Sequence, residues 1–171
     1  IVDDSMLNRA LLADMIGDAY RIIEAEDGKQ AVAALQKEGA GISLVLLDYV
    51  MPQMNDFDVL EVMNKNGWIK DIPVIMVSAE SDAAYIERAY ELGVTDFINR
   101  PYVNIVRRRV MNTLMLYQKQ RTLMGMVADQ VYEREKSNNL MVYILSHIVE
   151  FRNGESGMHV LNVQAMTEMI L

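Results

Sequence analysis

The chain has 171 residues, of which 51% are hydrophobic, and its 16 basic and 24 acidic side chains give a net charge of −8. Because the sequence contains no Cys, a disulfide scaffold, a Cys-ligated zinc site and a Cys nucleophile are all excluded. The acidic balance argues against a nucleic-acid partner, since phosphate backbones are bound by clustered Lys and Arg.

No apolar run reaches the roughly 20 residues that span a bilayer. The opening Ile1-Val2-Asp3-Asp4 does not resemble a signal peptide. We therefore expect a cytoplasmic protein that has no membrane partner.

Short apolar runs alternate with helical patterns over the first hundred residues, which predicts a doubly wound parallel α/β sheet. The predicted strands cover residues 1–2, 20–25, 42–47, 72–77 and 96–98. The predicted helices cover residues 5–16, 29–38, 57–65 and 82–92. The third and fourth strands are almost continuously apolar, as expected of strands buried on both faces of a sheet. The first strand is very short, so we expect further strand residues upstream.

After Pro101 the sequence has the pattern of one long helix. A stripe along it alternates steps of four and three residues, and it consists of Val110, Leu114, Tyr117, Arg121, Met124, Ala128 and Val131. One interpretation is a terminal helix that lies on the sheet and then frays. We favour a signalling helix that pairs with a second copy in a homodimer, because so long an apolar stripe has to be buried against something.

The run Ser137-Asn138-Asn139 predicts a helix break and a new N-cap. A second helix over residues 140–151, a turn at Asn153-Gly154 and a last helix are expected to follow. The predicted organisation is a domain over residues 1–103, a linker helix over 104–137 and the α-helical start of an output domain over 138–171.

Polar side chains collect at the carboxyl ends of the predicted strands, where open α/β sheets bind their ligands. Asp3 and Asp4 end the first strand, Asp48 the third, Ser78 the fourth, and Arg100 the fifth. Neighbouring carboxylates repel one another, and a hard cation such as Mg²⁺ relieves that repulsion. A carboxylate beside such a cation can attack a phosphoryl group, whose charge a hydroxyl and a basic side chain would stabilise. The alternative for Asp4 is an ordinary helix N-cap.

Four motifs, in this order and spacing, resemble the receiver domain of two-component response regulators over residues 1–115. They are Ile1-Val2-Asp3-Asp4-Ser5, Leu46-Leu47-Asp48-Tyr49-Val50-Met51-Pro52-Gln53-Met54, Val77-Ser78-Ala79 and Asp96-Phe97-Ile98-Asn99-Arg100-Pro101-Tyr102. The resemblance implies a flavodoxin-like fold whose five parallel strands have the order 2-1-3-4-5. It also implies that the partner is a histidine kinase, which supplies the phosphoryl group.

The same resemblance assigns roles within the predicted site. Asp48 would be the phosphoacceptor, and Mg²⁺ would be bound by Asp3, Asp4, Asp48 and the backbone carbonyl of Val50. Ser78 would hydrogen-bond the phosphoryl group, and the rotamer of Phe97 would follow the movement of Ser78.

This sequence departs from the receiver pattern at two places. Arg100 replaces the usual Lys, and because Arg is longer and forked, we expect altered phosphorylation without loss of the charge. Asn55-Asp56 fills a turn that usually contains Gly, and both residue types tolerate positive φ better than most. The alternative function is a degenerate receiver that acts as a phosphorylation-independent dimerisation or interaction module.

Near the end of the chain, Arg152-Asn153-Gly154-Glu155-Ser156-Gly157-Met158-His159 resembles the start of an HD-GYP domain. By that resemblance Glu155 and His159 would be the first metal ligands, of Fe or Mn, in a cyclic di-GMP phosphodiesterase. A solvated helix face is the simpler interpretation of such a Glu/His pair. The His-Asp pair and the Gly-Tyr-Pro motif are absent from this sequence and would lie beyond Leu171. We therefore expect no phosphodiesterase activity from these residues alone, because a hydrolytic metal centre needs more ligands.

Overall fold

The computed structural model describes residues 1–49, 51, 54–78, 82–100 and 105–149, and the backbone of the last helix to Arg152. The chain divides into two units, Ile1–Lys119 and Gln120–Leu171. The helices are α1 (Met6–Ile16), α2 (Gly28–Glu38), α3 (Asp56–Lys65), α4 (Ala83–Glu91) and α5 (Val106–Arg152). The strands are β1 (Val45–Asp48), β2 (Val74–Ser78) and β3 (Asp96–Asn99), and the 3₁₀ turns are Gly39–Gly41 and Trp68–Lys70.

The three strands form a parallel sheet in the order β1-β2-β3, with Leu47 opposite Met76 and Met76 opposite Phe97. Val2 adds single parallel bridges to Ala25 on one side and to Leu47 on the other. The five predicted strands therefore lie in the order 2-1-3-4-5, which confirms the predicted topology. The first two predicted strands, however, form only single bridges, at Val2 and at Ala25.

The sheet is covered on both faces by helices. On one face, α2, α3 and α4 pack against Leu47 and Met76 in a cluster that includes the fully buried Leu60. On the other face, α1 and the start of α5 pack on Ile75 and Ile98. This sandwich fixes the strands and aligns their carboxyl ends at one edge of the sheet.

The helix α5 has 47 residues and runs without interruption through Ser137-Asn138-Asn139, so the predicted break there is wrong. Ser and Asn each cost only about half a kcal/mol relative to Ala inside a helix, which is too little to stop one that is already propagating. The predicted turn at Asn153-Gly154 lies outside the described residues. Within the part of the chain that the structure describes, no helix combines the length and the apolar character needed to cross a membrane.

The first part of the predicted apolar stripe is buried within its own unit. Val110 is 3% exposed, and Leu114 packs beside it on the sheet. Further along the same helix, Met124 is 62% exposed and Val131 is 51% exposed. The exposed apolar residues Met124 and Val131 of the stripe therefore belong to the second unit, Gln120–Leu171.

Candidate functional site

Three carboxylates meet at the carboxyl edge of the sheet, as the sequence predicts. One oxygen atom from each of Asp3, Asp4 and Asp48 lies within 4.8 Å of the others. Asp3 is fully buried, Asp48 is 8% exposed, and Asp4 faces solvent. Closely spaced carboxylate oxygens with one open side suit a hard divalent cation, so this donor set fits Mg²⁺. The backbone carbonyl predicted as a further ligand, that of Val50, lies outside the described residues.

The start of α1 orients this cluster. Ser5 is the N-cap, and its Oγ accepts the N–H of Asn8 at 3.4 Å, so Asp4 is free of the capping role. Asp3 Oδ1 accepts the N–H of Ser5 at 2.8 Å and Asn8 Nδ2 at 3.1 Å, while Arg9 donates to the backbone carbonyl of Asp3 at 2.8 Å. Asn8 and Arg9 were not predicted from the sequence, although two polar side chains one turn after an acidic pair are a usable signal.

Arg100 inserts a positive charge between two of these carboxylates. Its Nη2 atom donates to Asp3 Oδ2 at 2.7 Å and to Asp48 Oδ1 at 2.8 Å. The predicted residue therefore reaches the site, and a single nitrogen contacts both acids. Such charge-assisted hydrogen bonds offset part of the repulsion between the two carboxylates.

Burial raises the pKa of Asp48 from the usual 3.8 to about 6, and the nearby charge of Asp3 adds to this effect. Arg100 and the backbone N–H of Tyr49 act in the opposite direction, because both stabilise the carboxylate. Asp48 is therefore ionised at neutral pH, but its ionised form is less favourable than that of an exposed aspartate. An ionised oxygen in a poorly solvated pocket is a suitable nucleophile toward phosphorus.

The remaining predicted residues lie on the two neighbouring strands. Ser78 ends β2 with 1% of its surface exposed, and its backbone carbonyl accepts the N–H of Arg100 at 2.8 Å. Phe97 lies on β3, partly buried against the core. Glu155 and His159 fall outside the described residues.

A profile of the response regulator receiver domain matches residues 1–108. The chain belongs to the response regulator receiver family. A second match extends beyond the receiver: a Vibrio cholerae protein named "Probable cyclic di-GMP phosphodiesterase" is 29% identical over 99% of this chain. The chain spans 40% of the length of that relative.

Other relatives and solved structures match a smaller share of the chain. The two-component response regulator ORR3 of Oryza sativa subsp. indica is 32% identical over 58% of this chain and 76% of its own length. Among solved structures, the chemotaxis protein CheY4 of Vibrio cholerae superposes with a TM-score of 0.59 at 23% identity, covering 66% of this chain and 93% of that chain. A CheY-like receiver from Methanospirillum hungatei gives 0.64 at 19% identity, covering 70% of this chain and 94% of that one. These superpositions support the flavodoxin-like receiver fold.

The turn that lacks the usual Gly of receivers is built in another way. Asn55 has φ −78° and caps α3, accepting the N–H of Asp58 at 2.9 Å, while the Asp58 carboxylate accepts the N–H of Asn55 at 3.2 Å. The turn therefore does not need the tolerance of positive φ that we expected of Asn55-Asp56, because Asn55 has an ordinary φ, Asp56 is already helical, and the capping box holds the turn. Asp56 then begins α3 with its side chain directed inward, where the Tyr85 hydroxyl donates to it. The Asp56–Tyr85 pair was not predicted from the sequence.

Proposed function

We propose that this receiver accepts a phosphoryl group on Asp48 from a histidine kinase, with Mg²⁺ bound by Asp3, Asp4 and Asp48. The observation that carries the proposal is the meeting of three carboxylates and Arg100 at one sheet edge. When bound, Mg²⁺ would neutralise negative charge and orient the phosphoryl oxygens. The carbonyl of Val50 is the fourth ligand that we expect from the family resemblance.

The chain's own residues would then perform the transfer. An oxygen of Asp48 forms a bond to phosphorus as the bond from phosphorus to the donor's imidazole nitrogen breaks, and the product is an acyl phosphate. Arg100, which already contacts Asp48, is placed to neutralise the new phosphoryl oxygens. Ser78 ends the neighbouring strand, so its hydroxyl is the expected hydrogen-bond donor to the same group, and Phe97 is the expected switch residue.

The test uses a small phosphodonor, which removes any dependence on the kinase. With acetyl phosphate and Mg²⁺, the wild-type protein should gain one phosphoryl group in intact-mass spectrometry. Asp48→Asn should gain none, whereas Asp14→Asn, which changes an exposed carboxylate on α1, should behave as wild type. Equal labelling of wild type and Asp48→Asn would refute the assignment.

The kinase partner is supported by an exposed apolar surface at the start of α1. Met6 and Leu7 are each 77% exposed and Leu11 is 43% exposed, and α1 begins next to the acidic pair. Exposed apolar side chains beside a reactive site are typical of a docking surface.

The docking role is tested by comparing two phosphodonors. Leu7→Glu should slow transfer from an autophosphorylated histidine kinase about tenfold and leave labelling by acetyl phosphate unchanged. The matched control is Leu123→Glu, which places the same charge at a similarly exposed leucine of α5. Equal slowing with both donors would show that α1 affects the chemistry instead of docking.

We further propose that the receiver controls an HD-GYP-type cyclic di-GMP phosphodiesterase, in which Glu155 and His159 ligate Fe or Mn. The support is the Vibrio cholerae relative, whose similarity includes this part of the chain. Residues 1–171 alone should not hydrolyse cyclic di-GMP in the presence of Mn²⁺, as followed by chromatography of the products. Turnover by these residues that is lost on His159→Ala would contradict that expectation.

The exposed apolar residues along the stripe of α5 support pairing between two copies of the chain. Because the helix continues past Asn139, the same spacing of four and three reaches Val142, Leu145 and Val149, all of which are exposed. Burying so many apolar side chains in a coiled coil would stabilise a homodimer. The alternative function, a phosphorylation-independent interaction module, would use the same stripe.

Analytical ultracentrifugation tests the pairing. Leu114 is unsuitable for mutation because it packs on the sheet, so the charges belong at Met124 and Val131. Met124→Glu combined with Val131→Glu should give monomers. Met126→Glu, at an equally exposed position outside the stripe, should remain dimeric.

A wild-type chain that sediments as a monomer with and without phosphorylation would count against the pairing. A wild-type dimer that phosphorylation leaves unchanged in every property would favour the alternative module.

A further inference from the structure

A buried carboxylate joins α3 to α4 next to the phosphoryl site. Asp56, the first residue of α3, is 3% exposed, and its Oδ2 accepts a hydrogen bond from the hydroxyl of Tyr85 on α4. The same hydroxyl lies 3.8 Å from Sδ of Met76 in the middle of β2. Burial raises the pKa of Asp56, and the Tyr85 hydrogen bond acts against that rise. The pair contributes no ligand to the acidic pocket, and the proposed transfer does not use it.

The ring of Tyr85 connects this pair to the residues around Asp48. It meets the ring of Tyr49 edge-on, with centroids 4.3 Å apart and an interplanar angle of 79°. It also lies 4.9 Å from the ring of Phe57 and 6.3 Å from that of Phe97. Tyr49 directly follows Asp48, and its backbone N–H hydrogen-bonds the Asp48 carboxylate. Tyr85 is thus in contact with Tyr49, whose N–H hydrogen-bonds Asp48, and its ring lies near that of Phe97.

A second residue of α4 strengthens the same helix contact. Arg88, one turn after Tyr85, lies over the Phe57 ring at 5.2 Å and 3.9 Å from the Glu61 carboxylate. That ion pair is exposed and contributes little by itself. The Asp56–Tyr85 hydrogen bond is the more costly of the two contacts to break, because it would leave the buried Asp56 carboxylate without this donor.

We propose that Asp56 and Tyr85 are positioning residues for phosphoryl transfer: their hydrogen bond seats α4 so that the Tyr85 ring holds Tyr49, and through it Asp48, in the reactive geometry. The inference rests on the proposed function, since it assumes that Asp48 takes the phosphoryl group. Its effect is on the rate of the reaction, because a nucleophile that is slightly misplaced reacts more slowly.

The test measures the rate of phosphorylation by acetyl phosphate at fixed Mg²⁺, together with urea unfolding of each variant. Tyr85→Phe keeps the ring and removes only the hydroxyl, and Asp56→Ala removes the acceptor. Each should slow phosphorylation at least about threefold, and the double variant should be no slower than the slower single variant, since both changes break one bond. Asp56→Asn keeps an acceptor oxygen and should restore most of the rate. Tyr90→Phe, at an exposed tyrosine of the same helix, is the matched control and should behave as wild type.

The outcomes separate this proposal from the function on which it rests. If the wild type is not labelled at Asp48, the proposed function fails before any variant is compared. If the wild type is labelled and both single variants are labelled at its rate, the pair has no positioning role, even when their unfolding midpoints fall. Rate losses that multiply in the double variant would also overturn the proposal, because the two side chains would then act independently.

Discussion

At the scale of single residues, Arg100 supplies the positive charge that offsets the repulsion between the carboxylates of the acidic pocket. One nitrogen bridges the buried Asp3 and the nucleophilic Asp48, at 2.7 Å and 2.8 Å. The acidic residues and Arg100 could be predicted from the sequence because parallel strands bring their carboxyl ends together. The contacts of Asn8 with Asp3 and of Tyr85 with Asp56 could not, since they depend on how each helix is rotated about its axis.

Replacing Arg100 should separate the charge from the shape of the side chain. Arg100→Lys should speed phosphorylation by acetyl phosphate, or lengthen the life of the acyl phosphate, because a compact ammonium releases Asp48 more easily than the forked group. Arg100→Ala should slow the reaction and lower the free energy of unfolding by about 1–3 kcal/mol in Mg²⁺-free buffer, since two buried carboxylates lose their shared donor. Stopped-flow labelling and urea titration measure both effects. Wild-type behaviour of Arg100→Ala would remove the residue from the site.

The raised pKa of Asp48 predicts a pH dependence. Its value in the fold is about 6, above the usual 3.8, so protonation favours the folded state. That stabilisation is fully present below the unfolded pKa and is lost as the pH rises through about 6. In Mg²⁺-free buffer, the free energy of unfolding from urea titration should therefore fall as the pH rises through about 6, and it should fall less in Asp48→Asn, which cannot titrate at this position. The same pH dependence of stability in the wild type and in Asp48→Asn would contradict the assignment of this pKa to Asp48.

The strand order was predictable at the scale of elements, while one helix boundary was not. Alternation of apolar runs with helical segments defines a doubly wound sheet, and the structure has the predicted order. The break at Ser137-Asn138-Asn139 was predicted from the low helix propensity of Ser and Asn. The free-energy cost of these three residues is small, and the helical residues on both sides outweigh it. A capping residue signals a helix start only where the preceding chain has already left the helix.

The continuity of α5 predicts a measurable role for Asn138. The steps of four and three that lead from Val131 to Val142 pass through Glu135 and Asn138, so Asn138 lies on the extended stripe. Asn139 lies beside it on the same exposed helix. Asn138→Leu should lower the dimer dissociation constant about tenfold, because it replaces a polar side chain in a buried seam. Asn139→Leu is the control and should change it little. Sedimentation equilibrium gives both constants, and equal strengthening by the two variants would show that the stripe does not form the dimer interface.

At the scale of the whole molecule, a receiver with an acidic pocket is followed along the chain by a helix whose exposed apolar residues reach Val149. If two chains pair along that helix, phosphorylation at one end can bias a two-state element that continues toward an output domain. The division into residues 1–103, 104–137 and 138–171 stays a prediction, as does the output activity. The receiver fold and family, by contrast, are established by the match to residues 1–108.

The central claim is that Asp48 carries the phosphoryl group, and borohydride trapping tests it most directly. Borohydride reduces an acyl phosphate to an alcohol, so a phosphorylated aspartate is converted to homoserine at its own position. After treatment with acetyl phosphate, Mg²⁺ and borohydride, peptide mass spectrometry should find homoserine at residue 48 and unmodified aspartate at positions 3, 4 and 56. Homoserine at another aspartate, or none after full labelling of the intact protein, would contradict the account.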